Sequence, residues 1–583
     1  MNRKSMEIRE AAEGYLEAMR LNGVDYIFGS PGSDDAPYWR YIEQRQQEGL
    51  GPAYVGCRHE ELSVDMAKGY ATVTGKPQAV KLHVTVGPLK AAMSLWGAYH
   101  ASIPLIVLSS HLTTHENELA GGTAGPHYLD FAHPGGHENN FSRYTKWGIT
   151  PETNENIGEY FGRAFRIANT HPKGPVYLNI ARELTFEERS QMEVLSREPP
   201  SPYAPPPDTI AEIASRLEAA TQPLFILGRV GTSVERVKST VPKLVELAES
   251  VGAGVFEGFK WHFNYPMDHP TYLGSSHTGI HNTIDEYPLD DVDLVFVIDS
   301  ERPWYPPTAA APEADVLMLD REAPRPKQLY WNYDAETMVT GVPSQVIPEL
   351  AAAVDQSKNV DSTRWTAIHD NWHQQWQSRV QAGTDSSPVD PFWLVDQLDQ
   401  LVPSDAILVN ETVSHASVVT NLLTDGDDHD RLFLSAEKLS AGGLGSGLGV
   451  ALGAKLAEPD RTVVALVGDG AFNYNPVQAA FGAAQEHDLP ILVVLFDNNG
   501  YQVMNPAYDE YYDGEPAYGT AIEPKPDYSL LVTAWDVHGT TVESSTEVRA
   551  AIEEGLRVVQ EENRSVLLDV ILPDRSVSFP AYE

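Results

Sequence analysis

The sequence predicts an α/β protein of three consecutive domains, each a doubly wound parallel sheet with helices on both faces. Three observations carry that reading. Short β-branched runs alternate with stretches of helical period from one end of the chain to the other. A chain of 583 residues is too long for a single core and divides into about three or four units of ordinary size. Two breaks in composition, the proline-rich stretch Pro199–Pro207 and the polar stretch from Leu350 to Ser387, partition it into ranges 1–190, 208–350 and 388–583.

The elements follow in order. Ile8, Ala11, Ala12, Tyr15, Leu16 and Met19 recur at helical spacing where a signal peptide would need an unbroken apolar core. The runs Ala79–Thr85 and Ile103–Ser109 read as strands around a helix, and Gly174–Ile180 closes the first domain as another strand. In the second, Pro223–Leu227, Val292–Ile298 and Asp315–Leu319 are strands and Val241–Ser250 is a helix. A helix around Trp365–Trp376 leads to the third. There the strands are Ile407–Asn410, Val463–Val467, Ile491–Phe496 and one near Val566–Leu572.

Composition excludes several functions. No run of about 18 apolar residues offers a membrane span. Cys57 is the only cysteine, so neither an intramolecular disulfide nor a Cys-built zinc cage can form. A cytoplasmic location fits. Eighty-two acidic residues against 41 basic ones give a net charge of -41, which repels nucleic acid and anionic membranes. The acids are spread through every region. That pattern suits concentrated salt, where screening over a few ångströms suppresses self-repulsion, and the expectation is a halophilic protein rather than an acidic mesophilic one.

The stretch Thr462–Tyr501 is the most informative. Val463–Val467 reads as a buried strand that runs into Gly468-Asp469-Gly470, a helix follows from Pro476 to Glu486, and a second buried strand runs from Pro490 into Asp497-Asn498-Asn499-Gly500. Both loops lie at carboxyl ends of strands, where open α/β sheets bind ligands. A carboxylate and an amide oxygen are hard donors suited to Mg²⁺ or Ca²⁺, and Mg²⁺ takes its remaining ligands from phosphate and water. Gly468 and Gly470 let the backbone approach a bulky anion. Either loop alone would pass for an ordinary turn; together they read as a ligand site.

Gly-Asp-Gly followed some thirty residues later by Asn-Asn resembles the signature of thiamine-diphosphate enzymes. The resemblance implies that Asp469, the Asn498 side chain and the Gly500 carbonyl hold Mg²⁺ against the cofactor's diphosphate, with Asn499 the alternative to Asn498. Gly468, Gly470, Ala471 and Tyr501 would frame the cofactor. The usual Ser or Thr of the first motif is Ala471 here, which removes one hydroxyl contact to phosphate.

Arg58-His59-Glu60-Glu61, followed by Gly69-Tyr70-Ala71, is similar to the family's Arg-His-Glu helix start and puts the activating carboxyl on Glu60. Burial against the aminopyrimidine ring should raise that acid's pKa so that it shares a proton near neutrality. The plain alternative is a glutamate favoured by a helix N-terminus. Phe28–Ser33 is similar to the Gly-x-Pro-Gly-Ser loop of benzoylformate decarboxylase, which implies a substrate contact for Ser33. Leu82-His83 is similar to that enzyme's active-site histidine, and His111 falls where relatives place a polar residue at the reaction centre. Asn410-Glu411-Thr412 implies cofactor contacts for Asn410 and Thr412. Ala441–Gly445 implies one for Gly443 and gives Leu444 the bulky side chain that bends thiamine into its reactive V shape.

By this resemblance the three domains are a pyrimidine-binding, a middle and a diphosphate-binding domain. The chain would cleave or form a carbon–carbon bond beside the carbonyl of a 2-oxo acid, His83 or His111 moving protons. A homodimer would be the minimal unit and a tetramer the expected assembly, Glu60 of one chain acting with Asp469 of its partner. Two features limit the match. The middle-domain stretch Asp299–Pro306 lacks the second histidine used by benzoylformate decarboxylase, and His111, His115, His127, His133 and His137 fit no compact zinc pattern and read as a solvated loop. Rivals within the chemistry are an acetolactate-synthase-type carboligase, with FAD touched by Gly228–Gly231, and a CoA-linked lyase, for which no basic cradle is evident. From other classes, a nicotinamide dehydrogenase lacks its Gly-x-Gly-x-x-Gly turn, and a non-catalytic cofactor-binding relative remains.

Overall fold

The computed structural model describes residues 2–111, 137–230, 234–276, 291–305, 311–326, 328, 331, 333–357, 360–427, 429–512 and 518–575. Tertiary contacts divide the chain into two compact units. One comprises Met1–Ser201 with Ala436–Asp460 and Asn473–Pro490; the other comprises Pro202–Ser435, Arg461–Phe472 and Ile491–Glu583.

The first unit is built on strands β1 (Asn2–Glu7), β2 (Tyr26–Gly29), β3 (Ala53–Gly56), β4 (Gln78–Leu82), β5 (Leu105–Ser109), β6 (Gly148–Ile149), β7 (Val176–Asn179) and β8 (Gln191–Ser196). Six of them form a parallel sheet in the order β3-β2-β4-β5-β7-β6, while β1 and β8 pair as an antiparallel ribbon. Because helices cover both faces, central strands such as β5 are buried throughout and read as apolar runs rather than alternations. The expected strand Ala79–Thr85 stops at Leu82. Val84 adopts a positive φ of 31°, and a short helix, Val86–Lys90, begins. The end of the expected linker is likewise helical: Pro207 takes the first position of a helix running to Ala219, where its missing N–H costs nothing.

Two helices of this unit cross at backbone contact. A Cβ on Gly69, in the helix Glu60–Thr74, would lie 2.2 Å from the Val450 carbonyl oxygen, and one on Gly453, in the helix Gly447–Ala457, would lie 2.0 Å from that of Met66. Gly449 meets the side chain of Asp65 at the same crossing. Asp65 and Lys68 form a fully buried ion pair there at 2.7 Å, and the Lys68 ammonium also donates to the Leu439 carbonyl at 3.2 Å. The glycine of Gly69-Tyr70-Ala71 thus serves helix packing.

The second unit holds two parallel sheets. One is formed by β9 (Pro223–Leu227), β10 (Gly254–Gly258), β11 (Tyr272–Ser276), β12 (Leu294–Ile298), β13 (Asp315–Asp320) and β14 (Thr337–Thr340), in the order β11-β10-β9-β12-β13-β14. The other is formed by β15 (Ile407–Glu411), β16 (Leu432–Ser435), β17 (Val463–Gly468), β18 (Leu492–Asp497), β19 (His538–Val542) and β20 (Val566–Ile571), in the order β16-β15-β17-β18-β20-β19. One apolar cluster runs through both sheets, from Phe225 and Phe296 to Leu466, Val494 and Leu568. The fold class is therefore α/β with three parallel six-stranded sheets flanked by helices. The first and third sheets share one winding: each starts at its second position and reverses direction across its first strand. Among the described residues, no helix is long and apolar enough to cross a membrane.

Candidate active site

In the third sheet the winding reverses between β15 and β17, and parallel register brings the carboxyl ends of three strands level. Glu411 pairs with Val467, and Gly468 pairs with Phe496. The loop after β15 is closed by Asn410, whose Oδ1 accepts from the Thr412 hydroxyl at 2.8 Å and from its N–H at 3.3 Å. Val413 then takes a positive φ of 47°, which for a β-branched residue stores strain of about 1–3 kcal/mol. A Cβ on Gly468 would come within 3.2 Å of the Thr412 carbonyl oxygen, so this glycine lets the two loops meet.

Asp469 follows at the start of a short helix, Asp469–Tyr474, and is buried. Its Oδ1 accepts from the Gly470 N–H at 2.8 Å, and its Oδ2 accepts from the Gly500 N–H at 2.6 Å. The second motif is thereby docked on the first. Asn499 and Gly500 both have positive φ, 62° and 130°, which turns the loop; Gly500 admits no side chain because a Cβ would meet the Thr520 carbonyl oxygen at 2.1 Å. The Asn498 amide is buried and donates to the Arg575 carbonyl at 3.0 Å, while that of Asn499 reaches Asp574 at 3.3 Å on the exposed side. Tyr501 packs where a Cβ of Gly470 would lie, 2.8 Å from its ring. Ala471 is buried.

Burial, and then repulsion from Asp497, push the Asp469 carboxyl up to about 7. The donor set fits a divalent cation: a buried carboxylate, an adjacent amide and a backbone turn, all oxygen donors at strand ends. Bound there, a cation would relieve the charge that Asp469 and Asp497 place together. Asp569 belongs to the same acidic patch, its carboxyl pushed up to about 8 by burial and by Asp497, which pairs with Lys525 at 2.8 Å.

The first unit holds the remaining candidates except for Asn410 and Thr412. Glu60 opens its helix half-buried, with His59 as cap: the imidazole Nδ1 accepts from the Glu61 N–H at 3.3 Å. The segment before it is held by strain and contact together. Arg58 has φ 60°, its guanidinium lies over Gly482, where a Cβ would meet it at 2.3 Å, and it pairs with Glu486 at 2.7 Å. The His487 Nε2 contacts the Gly56 carbonyl at 3.0 Å. Gly443 and Leu444, expected with the third domain, group with this unit; a Cβ on Gly443 would lie 2.9 Å from the Met93 sulfur, and Leu444 is half-buried.

Ser33 and His83 lie at the reversal point of the first sheet, in the loops after β2 and β4. Ser33 is exposed, and Gly32 beside it carries no Cβ because one would sit 2.2 Å from the His83 Nδ1. His83 bonds through that nitrogen to the buried Asp34. Asp34 in turn accepts from the Lys81 ammonium at 2.7 Å, and Lys81 also pairs with Asp35 at 2.5 Å. The hydrogen bond that His83 donates to Asp34 raises the pKa of the histidine. Burial would raise that of Asp34, but Lys81 and His83 outweigh it and hold the acid ionised. His111 is buried and served separately: its Nδ1 meets the Asn179 amide at 3.0 Å, and Asn179 also accepts from Ser109 at 3.2 Å. His115, His127 and His133 lie outside the described residues.

Asp34, Asp35, Lys81 and Asn179 were not among the sequence-derived candidates. A signal existed for one pair. A lone lysine inside the apolar run Ala79–Leu82 needs a buried acid, and Asp34-Asp35 directly follows the serine loop. In the middle sheet, the glycine offered as an FAD contact is used internally: a Cβ on Gly228 would lie 2.2 Å from the Asp299 carbonyl oxygen. Arg229 stacks on Trp261 at 4.2 Å, and Arg321 and Arg325 pair with Asp299 between the loops after the neighbouring strands β12 and β13; Gly231 lies outside the described residues.

An α/β chain with these two loop constellations defines a class, and the comparisons match it. Residues 9–133 match the family described as thiamine pyrophosphate enzyme, N-terminal TPP binding domain, and residues 421–570 match the corresponding C-terminal TPP binding domain. The chain is a thiamine-pyrophosphate enzyme. Within that class its relatives include acetolactate synthases and benzoylformate decarboxylases. It is 24% identical to a probable acetolactate synthase large subunit of Methanocaldococcus jannaschii, over 97% of this chain and 92% of the relative. It is also 24% identical to benzoylformate decarboxylase of Pseudomonas aeruginosa, over 95% and 97%. Among solved structures, a Rhodococcus jostii thiamine diphosphate-dependent 4-hydroxybenzoylformate decarboxylase superposes with a TM-score of 0.75 at 22% identity, covering 97% of this chain and 99% of that one. Benzoylformate decarboxylase from Polynucleobacter necessarius gives 0.77 at 20%, covering 98% and 99%.

Proposed function

We propose that this chain catalyses thiamine-diphosphate- and Mg²⁺-dependent, non-oxidative decarboxylation of a 2-oxo acid, releasing an aldehyde or joining the remaining acyl unit to a second carbonyl. The observation that carries the reading is the docking of the Asn498–Gly500 loop on Asp469 at the reversal point of the third sheet, beside Thr412 and Gly468. When bound, thiamine diphosphate supplies the electron sink for bond cleavage. Asp469, Asn498 and the Gly500 carbonyl hold the metal, and Asn410, Thr412, Gly468, Gly470, Ala471 and Tyr501 seat the diphosphate end. Gly443 and Leu444 support the thiazolium, and Glu60 exchanges a proton with the aminopyrimidine nitrogen. Ser33 binds the substrate carboxylate or carbonyl, and His83 and His111 hold or deliver protons beside it.

We further propose domain ranges of 1–190, 208–350 and 388–583, a homodimer as the competent unit with a tetramer as its assembly, a cytoplasmic location, and adaptation to high salt. The charge of -41 supports the last, and unfolding in low against multimolar KCl tests it: a midpoint that does not fall at low salt removes it. The acetolactate synthase names among the relatives favour one second reading, a carboligase joining two 2-oxo acids. The deciding experiment is CO₂ release from a panel of 2-oxo acids in multimolar KCl, with and without thiamine diphosphate and Mg²⁺. Release that needs both additions is expected, and product analysis then separates aldehyde from ligated ketone. Cofactor binding without release from any donor would overturn the decarboxylase reading.

A further inference from the structure

The buried row of charges beneath the serine loop is more than packing. Lys81 projects from the middle of β4 into the sheet interior, where an ammonium has no place without partners. It finds two, Asp34 and Asp35, and both aspartates are almost fully buried. Only one of them reaches the candidate site. Asp34 gives Oδ2 to Lys81 and Oδ1 to the His83 Nδ1, while Asp35 gives Oδ1 to Lys81 and Oδ2 to the Gly32 N–H at 2.9 Å. The imidazole is 24% exposed, so the ring is held on one side by Asp34 and is still partly accessible.

We infer that Asp34, clamped from below by Lys81, is the positioning residue of His83: it fixes the proton on Nδ1 and makes Nε2 the nitrogen that exchanges protons with substrate. This inference rests on the proposed role of His83. The chemistry follows from the contacts. A carboxylate is acceptor-only, so Nδ1 must donate to it, and in the neutral ring the lone pair is then on Nε2. Lys81 keeps Asp34 from taking that proton for itself. Gly32 contributes by absence, since any side chain there would push His83 off Asp34. The charged groups facing the ring are Asp34 and Asp35 from the loop after β2 and Lys81 from β4; burial and Lys81 oppose protonation, and the aspartates favour it. A merely structural ion cluster would need no contact with a partly exposed histidine.

The test is a histidine titration by NMR on the whole protein labelled at the imidazole nitrogens and Cε1, with His83 assigned from the spectrum of His83→Asn. In the native protein His83 should titrate above its ordinary value and its neutral form should carry the proton on Nδ1. In Asp34→Asn the protonation constant should fall about tenfold or more, with loss of the fixed tautomer, whereas Asp35→Asn should change it much less. The alkaline-side limb of the kcat/KM profile for a decarboxylated substrate should move with the Asp34→Asn titration. An Nε2–H tautomer in the native protein, which needs no variant to fold, would overturn the assignment, as would an unchanged titration in a folded Asp34→Asn. If the titrations come out as stated but His83→Ala turns over at the native rate, the proposed role of His83 fails and the positioning role fails with it, while the decarboxylase reading stands on CO₂ release alone.

Discussion

The first and third sheets are wound alike, yet their reversal points are furnished in opposite ways. In the third, the loops after β15, β17 and β18 meet with a backbone group or a glycine at each contact: Gly468 against the Thr412 carbonyl, Gly470 under Tyr501, and the Gly500 N–H on Asp469. In the first, the loops after β2 and β4 meet through titratable side chains, His83 on Asp34 on Lys81 on Asp35. The difference fits the role proposed for each end. A phosphate and its metal are met by N–H groups, small residues and a few hard oxygens, which pre-shaped backbone supplies. Proton transfer needs groups whose affinities are set by neighbours, which only side chains brought from several elements supply.

The largest effects should separate the two kinds of construction. Glu60→Gln should lower kcat by about 10²–10⁴-fold while thiamine diphosphate, measured by calorimetry, binds as before. Asp469→Ala should instead weaken cofactor and Mg²⁺ binding, with activity down about 10³-fold. If the two variants fail in the same step, the division between a proton-handling and an anchoring half is wrong.

Glycine substitutions should sharpen it next. Gly69→Ala presses a methyl on the Val450 carbonyl and should destabilise by about 1–3 kcal/mol in urea without changing cofactor affinity in the protein that folds. Gly470→Ala presses on the Tyr501 ring and should do the reverse, lowering affinity with little change in the urea midpoint.

A smaller contrast is expected with pH. In the second unit, burial pushes His262 down to about 4 and His415 down to about 3, so both are neutral when folded. They leave stability untouched above pH 6.5. Below it the unfolded chain takes up protons that the folded one refuses, at a cost of up to about 1.4 kcal/mol per pH unit for each histidine. The loss levels off near pH 4 for the first and pH 3 for the second. His415→Asn should reduce the acid slope of the urea midpoint. His83, with its pKa raised, has the opposite sign: its stabilisation is complete below pH 6.5 and fades as pH rises through its raised value. Arg58→Ala closes the series, with about 0–1 kcal/mol lost, because its pair with Glu486 is half exposed.

These two constructions were unequally legible. The loops proposed to hold the metal are contiguous motifs at the ends of apolar strands, and β17 and β18 fall where their β-branched runs place them. Gly69 and Glu60 were visible as a motif, but not the reason for the glycine, because Val450 lies hundreds of residues away and helix crossings leave no local trace. Lys81 and Asp34 were missed because a charge in a strand is identified only by its partner. Four-residue strands such as β2 and β3 are too short for their period to be read.

The helix crossing at Gly69 has a consequence in time. Its second helix is encoded beyond residue 440, and the last segment of the first unit ends at Pro490, about 290 residues after its opening segment ends at Ser201. The helix Gly447–Ala457 is completed about 380 residues after the Glu60 helix ends at Thr74, so at about 5–20 residues per second synthesis leaves the Glu60 helix without the surface it packs on for roughly 20–75 s. During that interval the glycine face of Gly69 has only solvent or chaperone to meet, so the ribosome-bound chain should be protease-sensitive there until the returning helices emerge.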